Sequence, residues 1–307
     1  MQSLWMLFAS FVFAIMGVCV KLASSLYSTS EIVMYRGLVG ATVLASLILL
    51  RGGSFRTTMA LQHLWRGTVG VTSLWLWFYA IGALPLSTAM TLNYMSPIWI
   101  AVILLLGGWW SAKNHVEWPL VAAIAMSFVG VTLLLQPAFG ADQAGPAFTA
   151  LVSGVLTAFA YLQVRKMGLL GEPEYRVVFY FSLINIVAGF LGHVASAGGG
   201  PVHWHPHASG SGLALLLGIG LCATAAQIAM TRAYRLGKTL VVANLQYSGI
   251  VFSSIWGVLL FGDVFDWHSW AGIGVILASG LAATFYNTRN TARGQAIKST
   301  DPIASEV

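Results

Sequence analysis

The sequence predicts an all-α integral membrane protein: ten transmembrane helices arranged as two inverted five-helix repeats, with both termini cytoplasmic. Three observations predict it. Hydrophobic residues make up 58% and charged residues 8% of the 307, against roughly 45–50% and about 25% in soluble domains, which excludes a water-soluble fold. Ten apolar stretches, each near the ~20 residues that a spanning helix takes, fill the chain almost from end to end. The fourth and ninth carry the same polar interruption, Asn93-Tyr94 and Gln246-Tyr247, with 247 − 94 = 153 residues between the tyrosines. At that offset the chain lies on itself without gaps, Ala80 on Ala233, Leu84 on Gly237 and Pro97 on Ile250. Apolar helices align easily by chance, so the amide-tyrosine couple carries most of the weight.

The first stretch, Leu4 to Leu22, has no basic residue before it and no small-residue cleavage site after it, and reads as a retained helix. Its Cys19, like Cys222 in the eighth, reads as a packing residue rather than half of a disulfide. The second, Ile32 to Leu50, encloses Arg36 and places Gly37 and Gly40 at helix-packing spacing. The third, Trp65 to Leu84, carries Trp75, Trp77 and Tyr79, of which Trp75 and Tyr79 share a face. The uncharged turn Leu84-Pro85-Leu86 leads into the fourth, Leu86 to Gly108, with Asn93, Tyr94, Pro97 and Trp99. The fifth runs from Trp118 to Gln136, the sixth from Pro146 to Gln163 and the seventh from Tyr175 to Ala197. A Gly/Pro/His-rich loop from Gly198 to Gly212 follows and reads as mobile, as does the polar tail after Arg289. The eighth, Gly212 to Tyr234, precedes the ninth, Leu240 to Phe261, which holds Asn244, Gln246 and Tyr247. The tenth, Trp267 to Asn287, has small residues at Gly274, Ala278 and Ala282. The units expected are residues 1–139 and 146–288, one repeat each, and a disordered cytoplasmic tail at 289–307.

Charge fixes the orientation. Of the fifteen basic residues, thirteen fall on one side: Arg51, Arg56, Arg66, Lys113, Arg165, Lys166, Arg176, Arg232, Arg235, Lys238, Arg289, Arg293 and Lys298. The other side keeps Lys21, and Arg36 lies inside the second stretch, about one turn below the outer surface. The formal charge of +6 therefore sorts by membrane side and does not mark a nucleic-acid binder. Five helices per half is an odd number, so the second half enters upside down and its charges fall where the first half has none. The uncharged turn after Leu84 and its counterpart bearing Arg232, Arg235 and Lys238 fit that rule.

The order of several residues resembles the EamA family of the drug/metabolite transporter superfamily over essentially the whole chain. They are Arg36 early in the second stretch, Tyr94-Met95-Ser96-Pro97 in the fourth, Asp263 closing the ninth, and the late glycines Gly130 and Gly280. Trp110 departs from the family pattern, standing where a Glu is usual. The resemblance implies a ten-helix carrier that moves small metabolites, often amino acids and frequently outward, by alternating access. YddG-like aromatic amino-acid exporters are one branch, which this sequence does not single out.

Polar residues inside the apolar stretches are the candidate substrate pathway: Arg36, Asn93, Tyr94, Asn244, Gln246 and Tyr247, with Trp75, Trp77, Tyr79 and Trp99 as an aromatic wall. Arg36 reads either as an anchor, snorkelling to headgroups or pairing with Glu31, or as a contact for a substrate carboxylate. Asn93, Tyr94, Gln246 and Tyr247 serve a polar solute or plain interhelical bonding. Pro97 is a candidate hinge because it frees a backbone carbonyl. No Asp or Glu falls within a stretch, which disfavours a proton relay through a buried carboxylate. His203, His205 and His207 alternate in a loop whose Pro206 and neighbouring glycines argue against a metal site. No cofactor, metal or catalytic residue is expected. The partners are a small-molecule substrate and membrane lipid, in a bacterial inner membrane, with monomer and homodimer both open. The rival readings are an intramembrane lipid-modifying enzyme, for which no acid/base pair or nucleophile converges, and a non-transporting membrane scaffold.

Overall fold

The computed structural model describes residues 2–84, 91–111, 117–136, 143–196, 204, 210–262 and 264–300, and among them every regular element is helical. The helices are α1 (Trp5–Ala23), α2 (Thr29–Leu50), α3 (Ala60–Ala83), α4 (Ser96–Ser111), α5 (Trp118–Leu135), α6 (Ala144–Leu169), α7 (Glu174–Ser196), α8 (Gly210–Leu236), α9 (Thr239–Gln246), α10 (Ser248–Trp256) and α11 (Trp267–Thr300). A π-helical segment, Gly257–Phe261, continues α10 and ends at Gly262, whose φ of 71° turns the chain out of the helix.

Among the described residues eight helical spans are long and apolar enough to cross a membrane, and Thr91–Leu106 is a shorter apolar helix. The expected third stretch is helical over Ala60–Ala83, starting a turn earlier than its apolar run because His63 and Arg66 are packed inside rather than left at a surface. The expected turn at Pro85-Leu86, the three loop histidines and Asp263 lie outside the described residues.

Local chemistry sets the helix starts. α2 opens with a capping box in which Ser28 Oγ accepts from Glu31 N–H at 3.3 Å and the Glu31 carboxylate accepts from Ser28 N–H at 2.8 Å. Such a cap contributes about 1 kcal/mol. Glu31 is thereby engaged at the start of the helix.

Small residues then dock the helices in pairs. α2 lies along α7, α5 along α11, α1 along α8 and α3 along α6. On α2–α7 a Cβ at Gly37 would stand 2.6 Å from Ser182 O and one at Gly189 2.6 Å from Met34 N, so only glycine lets these backbones touch. The α5–α11 crossing is built alike, with Gly130 and Gly272 each facing the other's carbonyl. The largest core cluster joins α1, α4, α5, α6, α8, α9, α10 and α11 around Tyr234, Tyr247 and Ile250.

Candidate functional site

Two arginines meet inside the bundle. Arg36 lies roughly two turns into α2, deeper than its expected place near a surface, and lines a small cavity with Val178, Phe181, Ser182 and Asn185 of α7 and Ala223, Thr224 and Gln227 of α8. Arg66 of α3, expected on a cytoplasmic flank, is instead 3% exposed and stacks its guanidinium carbon 3.5 Å over the Phe181 ring. Arg36 approaches the same ring at 5.8 Å. Arg66 Nη2 donates to Gln227 Oε1 at 3.3 Å, while its Nε and Nη1 have no partner among the described residues. Asn185 Oδ1, on the cavity wall, is likewise buried without one.

The electrostatics are lopsided. The described carboxylates are engaged elsewhere: Glu31 in its cap, Glu172 with His63 and Arg176, Glu174 with Arg235, Glu117 with Lys238 and Asp266 with His268. Tyr161 of α6 is the group that sits within charge-interaction range of both arginines. A stacked ring offsets about 1–2 kcal/mol of a buried guanidinium's cost and leaves its charge intact. The space left in the cavity is about 10 Å³, room for about one water. The cavity is therefore small and lined on one side by positive charge.

The second feature is a matched pair of helix breaks. The chain is helical at residues 91–93, turns at Tyr94 and Met95, and resumes as α4 at Ser96. Tyr247 separates α9 from α10 in the same manner. Both breaks tighten to i→i−3 bonding, from Met95 N to Leu92 O at 3.3 Å and from Tyr247 N to Asn244 O at 3.2 Å. Ile250 N donates to Tyr247 O at 3.0 Å, a bond that Pro97, its aligned partner, has no N–H to make. Pro97 thus sits in the first turn of α4, where proline is tolerated, immediately after the break.

The two breaks face each other. Gln246 Nε2 donates to Ser96 Oγ at 3.4 Å, Tyr234 Oη donates to Gln246 Oε1 at 3.4 Å, and Tyr94 Oη stands 3.7 Å from where a Cβ on Gly249 would lie. Tyr247 is 0% exposed, and its hydroxyl has no partner among the described residues. Tyr161, its ring tilted against that of Tyr234 at 5.3 Å between centroids, connects this zone to the arginine pocket.

The amides of the two breaks are tied down. Asn93 Nδ2 donates to Ser153 Oγ at 2.6 Å, inside a knot where Ser73 Oγ donates to Ser153 O at 2.8 Å and Ser153 Oγ returns a bond to Ser73 O at 3.0 Å. Asn244 accepts from Ser127 Oγ at 2.6 Å and donates to Ser279 O at 3.2 Å, which fixes α9 to the α5–α11 crossing. Trp99 packs on the core cluster with its indole N–H buried. Trp77 is partly buried, whereas Trp75 is 39% and Tyr79 60% exposed, and neither lines the arginine cavity. Arg66, Tyr161, Asn185 and Gln227 are the site residues that the sequence reading passed over.

One end of the bundle is laced by charge. His63 Nε2 lies 2.9 Å from Glu172 Oε1, Arg176 reaches Glu172 at 3.2 Å, Arg235 reaches Glu174 at 3.0 Å and Lys238 reaches Glu117 at 2.6 Å. Burial pushes the Glu172 carboxyl up, but hydrogen bonds from His63 and Thr57 and the Arg176 charge outweigh it and hold it below its ordinary value. Beside this row a second cavity of about 300 Å³ lies between α4, α5, α6 and the start of α9, with Glu117, Arg165 and Lys238 in its wall.

Buried cations, small-residue helix seams and broken helices meeting inside an apolar bundle are features of solute carriers. Residues 1–136 match the EamA-like transporter family. The match covers the first five expected helices, so that part of the chain is similar to EamA-like transporters. It is similar to the pseudopaline exporter of Pseudomonas aeruginosa, 28% identical over 277 residues covering 89% of this chain and 92% of the relative. The riboflavin transporter of Vibrio cholerae is 24% identical over 95% of both chains. Human solute carrier family 35 member G1 is 25% identical over 71% of this chain and 60% of its own. A solved crystal structure shares the fold with a TM-score of 0.78 at 18% identity, covering 92% of this chain and 98% of that one. The chain is a multi-pass inner-membrane transporter and not an enzyme, which removes the lipid-modifying alternative.

Proposed function

We propose that this transporter moves a small, carboxylate-bearing and partly apolar metabolite outward, by alternating access between two inverted five-helix repeats with cytoplasmic termini. The observation that carries the substrate class is the arginine pocket: a buried Arg66 and a half-buried Arg36, with no carboxylate of the described residues paired to either, await an anion. The direction rests on the exporter among the similar proteins. The repeat reading is supported by the helix pairs, since advancing each helix by one repeat turns α1–α8 into α6–α3 and maps α2–α7 and α5–α11 onto themselves. The matched breaks at Tyr94 and Tyr247 support it independently.

In this reading Arg36 and Arg66 hold the carboxylate, and Tyr94, Gln246 and Tyr247 line the path at the breaks. Pro97 lets α4 hinge, and Trp75, Trp77, Tyr79 and Trp99 offer the apolar wall. Asn93 and Asn244 position the breaks rather than touch solute, since their amides are spent on serines. The test is transport per folded molecule in proteoliposomes. Arg36→Gln should lose at least tenfold, ~1.4 kcal/mol, and Arg36→Lys should recover only part, since it keeps the charge but not the planar fork. Near wild-type turnover in Arg36→Gln would end the proposal. Cysteines at Leu26 and Arg56, probed with an impermeant thiol reagent, should label from opposite faces; labelling from one face would overturn the topology.

A further inference from the structure

The pocket contains more information than the presence of a carboxylate, because its charge is double. Resting on the carboxylate-binding reading above, we propose that its ligand is a dianion, a short dicarboxylate without a free ammonium group.

The argument is charge balance inside a dry bundle. Arg36 and Arg66 approach the same Phe181 ring, at 5.8 and 3.5 Å, so their guanidinium carbons stand no further apart than those two distances laid end to end. Like charges that close, with water nearly excluded, destabilise one another and are costly to desolvate. A monocarboxylate neutralises one guanidinium and leaves the other buried and unpaired. A zwitterionic amino acid is worse matched, since it brings no net charge and adds an ammonium that no described carboxylate near the pocket can receive. Two carboxylates a few bonds apart meet both forks, and each planar guanidinium can engage one in bidentate fashion. Arg66 is prepared for this: Nη2 gives one hydrogen to Gln227, which orients the fork, while its Nε and Nη1 have no partner among the described residues and the second Nη2 hydrogen completes a pair with one of them. Tyr161 on α6 adds a hydroxyl within range of both arginines, and Asn185, whose amide oxygen has no partner among the described residues, adds a polar group on the α7 wall. With about 10 Å³ open, such a ligand enters only when α3 and α8 draw away from α2 and α7.

Thermal protection of the detergent-purified full chain by succinate, butyrate, leucine and chloride tests this. Succinate should protect with an apparent Kd at least tenfold below that of butyrate, with leucine weakest. Arg66→Gln, which leaves a single charge, should bring succinate and butyrate within about threefold of each other. Arg66→Lys, which keeps the charge, should preserve the preference for succinate even if Arg66→Gln does not fold. Equal protection by butyrate or leucine would overturn the dianion, and protection by chloride as strong as that by succinate would replace it with an unselective anion hole. Uptake into proteoliposomes separates this inference from the one beneath it. Succinate that binds selectively without crossing upholds the dianion and sinks the transport reading of the pocket. Transport of leucine but not succinate does the reverse.

Discussion

Replacing Tyr247 by Phe should make the protein more stable and less active at once. The side chain is wholly buried and its hydroxyl finds no partner among the described residues. A buried polar group left unsatisfied costs about 1–3 kcal/mol, whereas the ring that fills the core between α9 and α10 is retained in Phe. In the conformation seen here the substitution should therefore stabilise by about 1–2 kcal/mol, which for a chain of this order of size raises Tm by roughly 2–4 °C per kcal/mol. On the alternating-access proposal, a hydroxyl kept at that cost at a helix break is used in another state of the cycle, by solute or by a carbonyl freed when the break opens. Transport per folded molecule should fall at least fivefold. Intrinsic fluorescence melts in detergent and proteoliposome transport on the same preparation read both quantities. A lowered Tm would mean that the hydroxyl is bonded, and unchanged transport would mean that it has no part in the cycle; either result refutes the reasoning. Tyr94→Phe is the control, since its hydroxyl lies against Gly249 and should give little change in Tm with the same direction of effect on transport.

Three further outcomes follow from the geometry. Asn93→Leu strips the amide from Ser153 and should cost about 1–2 kcal/mol in melts while leaving the order of preferred ligands unchanged, as the proposal that the knot only positions the break requires. Gly130→Ala places a Cβ 2.8 Å from Gly272 O, and since backbone cannot give way cheaply the α5–α11 crossing should lose about 1–3 kcal/mol, read as a lower Tm. Glu172 has a folded-state pKa below its ordinary 4.5, so its contribution is complete above about that pH and is lost as pH falls through the depressed value. Tm of the wild type should therefore drop more steeply below that pH than Tm of Glu172→Gln, and parallel curves would contradict the assignment.

Much of the helical fold was legible because bilayer physics writes it into composition: long apolar runs, and small residues at packing spacing. Arg36 was legible for the same reason, as a charge within an apolar run. Arg66 was not. It follows Trp65 near the start of a stretch, and both residues suit an interface, so the positive-inside pattern absorbed it; only the packing of α3 against α7 shows that its guanidinium turns inward over Phe181. Tyr161, Asn185 and Gln227 are single polar residues on otherwise apolar helices, and nothing local separates a pocket wall from an interhelical bond. The aligned pairs were legible as positions but not as breaks. Pro97 hints at irregular backbone in the first half, yet the second half has Ile250 there and breaks all the same, because tertiary bonds from Asn244 and Gln246 hold the turn rather than any helix-breaking residue.

The contacts also say which surfaces can part. Along α2–α7 the close approaches at Gly37 and Gly189 are backbone against backbone, so sliding there drives main-chain atoms into one another and this seam behaves as a unit. The approaches that shut the arginine pocket from its other sides are of another kind: Gly67 of α3 meets the end of the Ile184 side chain, and Gly220 of α8 meets the side chain of Val39. Side-chain contacts of this sort can be lost and remade as helices separate, whereas the seam cannot be sheared without cost. In the alternating-access cycle proposed above, opening takes α3 and α8 away from a fixed α2–α7 core. Each of those two helices is paired with the first helix of the opposite half, α3 with α6 and α8 with α1, so the moving bodies carry Arg66 and Tyr161 on one side and Gln227 on the other. The Arg66–Gln227 bond spans the two bodies, and a ligand that recruits Arg66 in place of Gln227 weakens the contact that keeps the pocket closed.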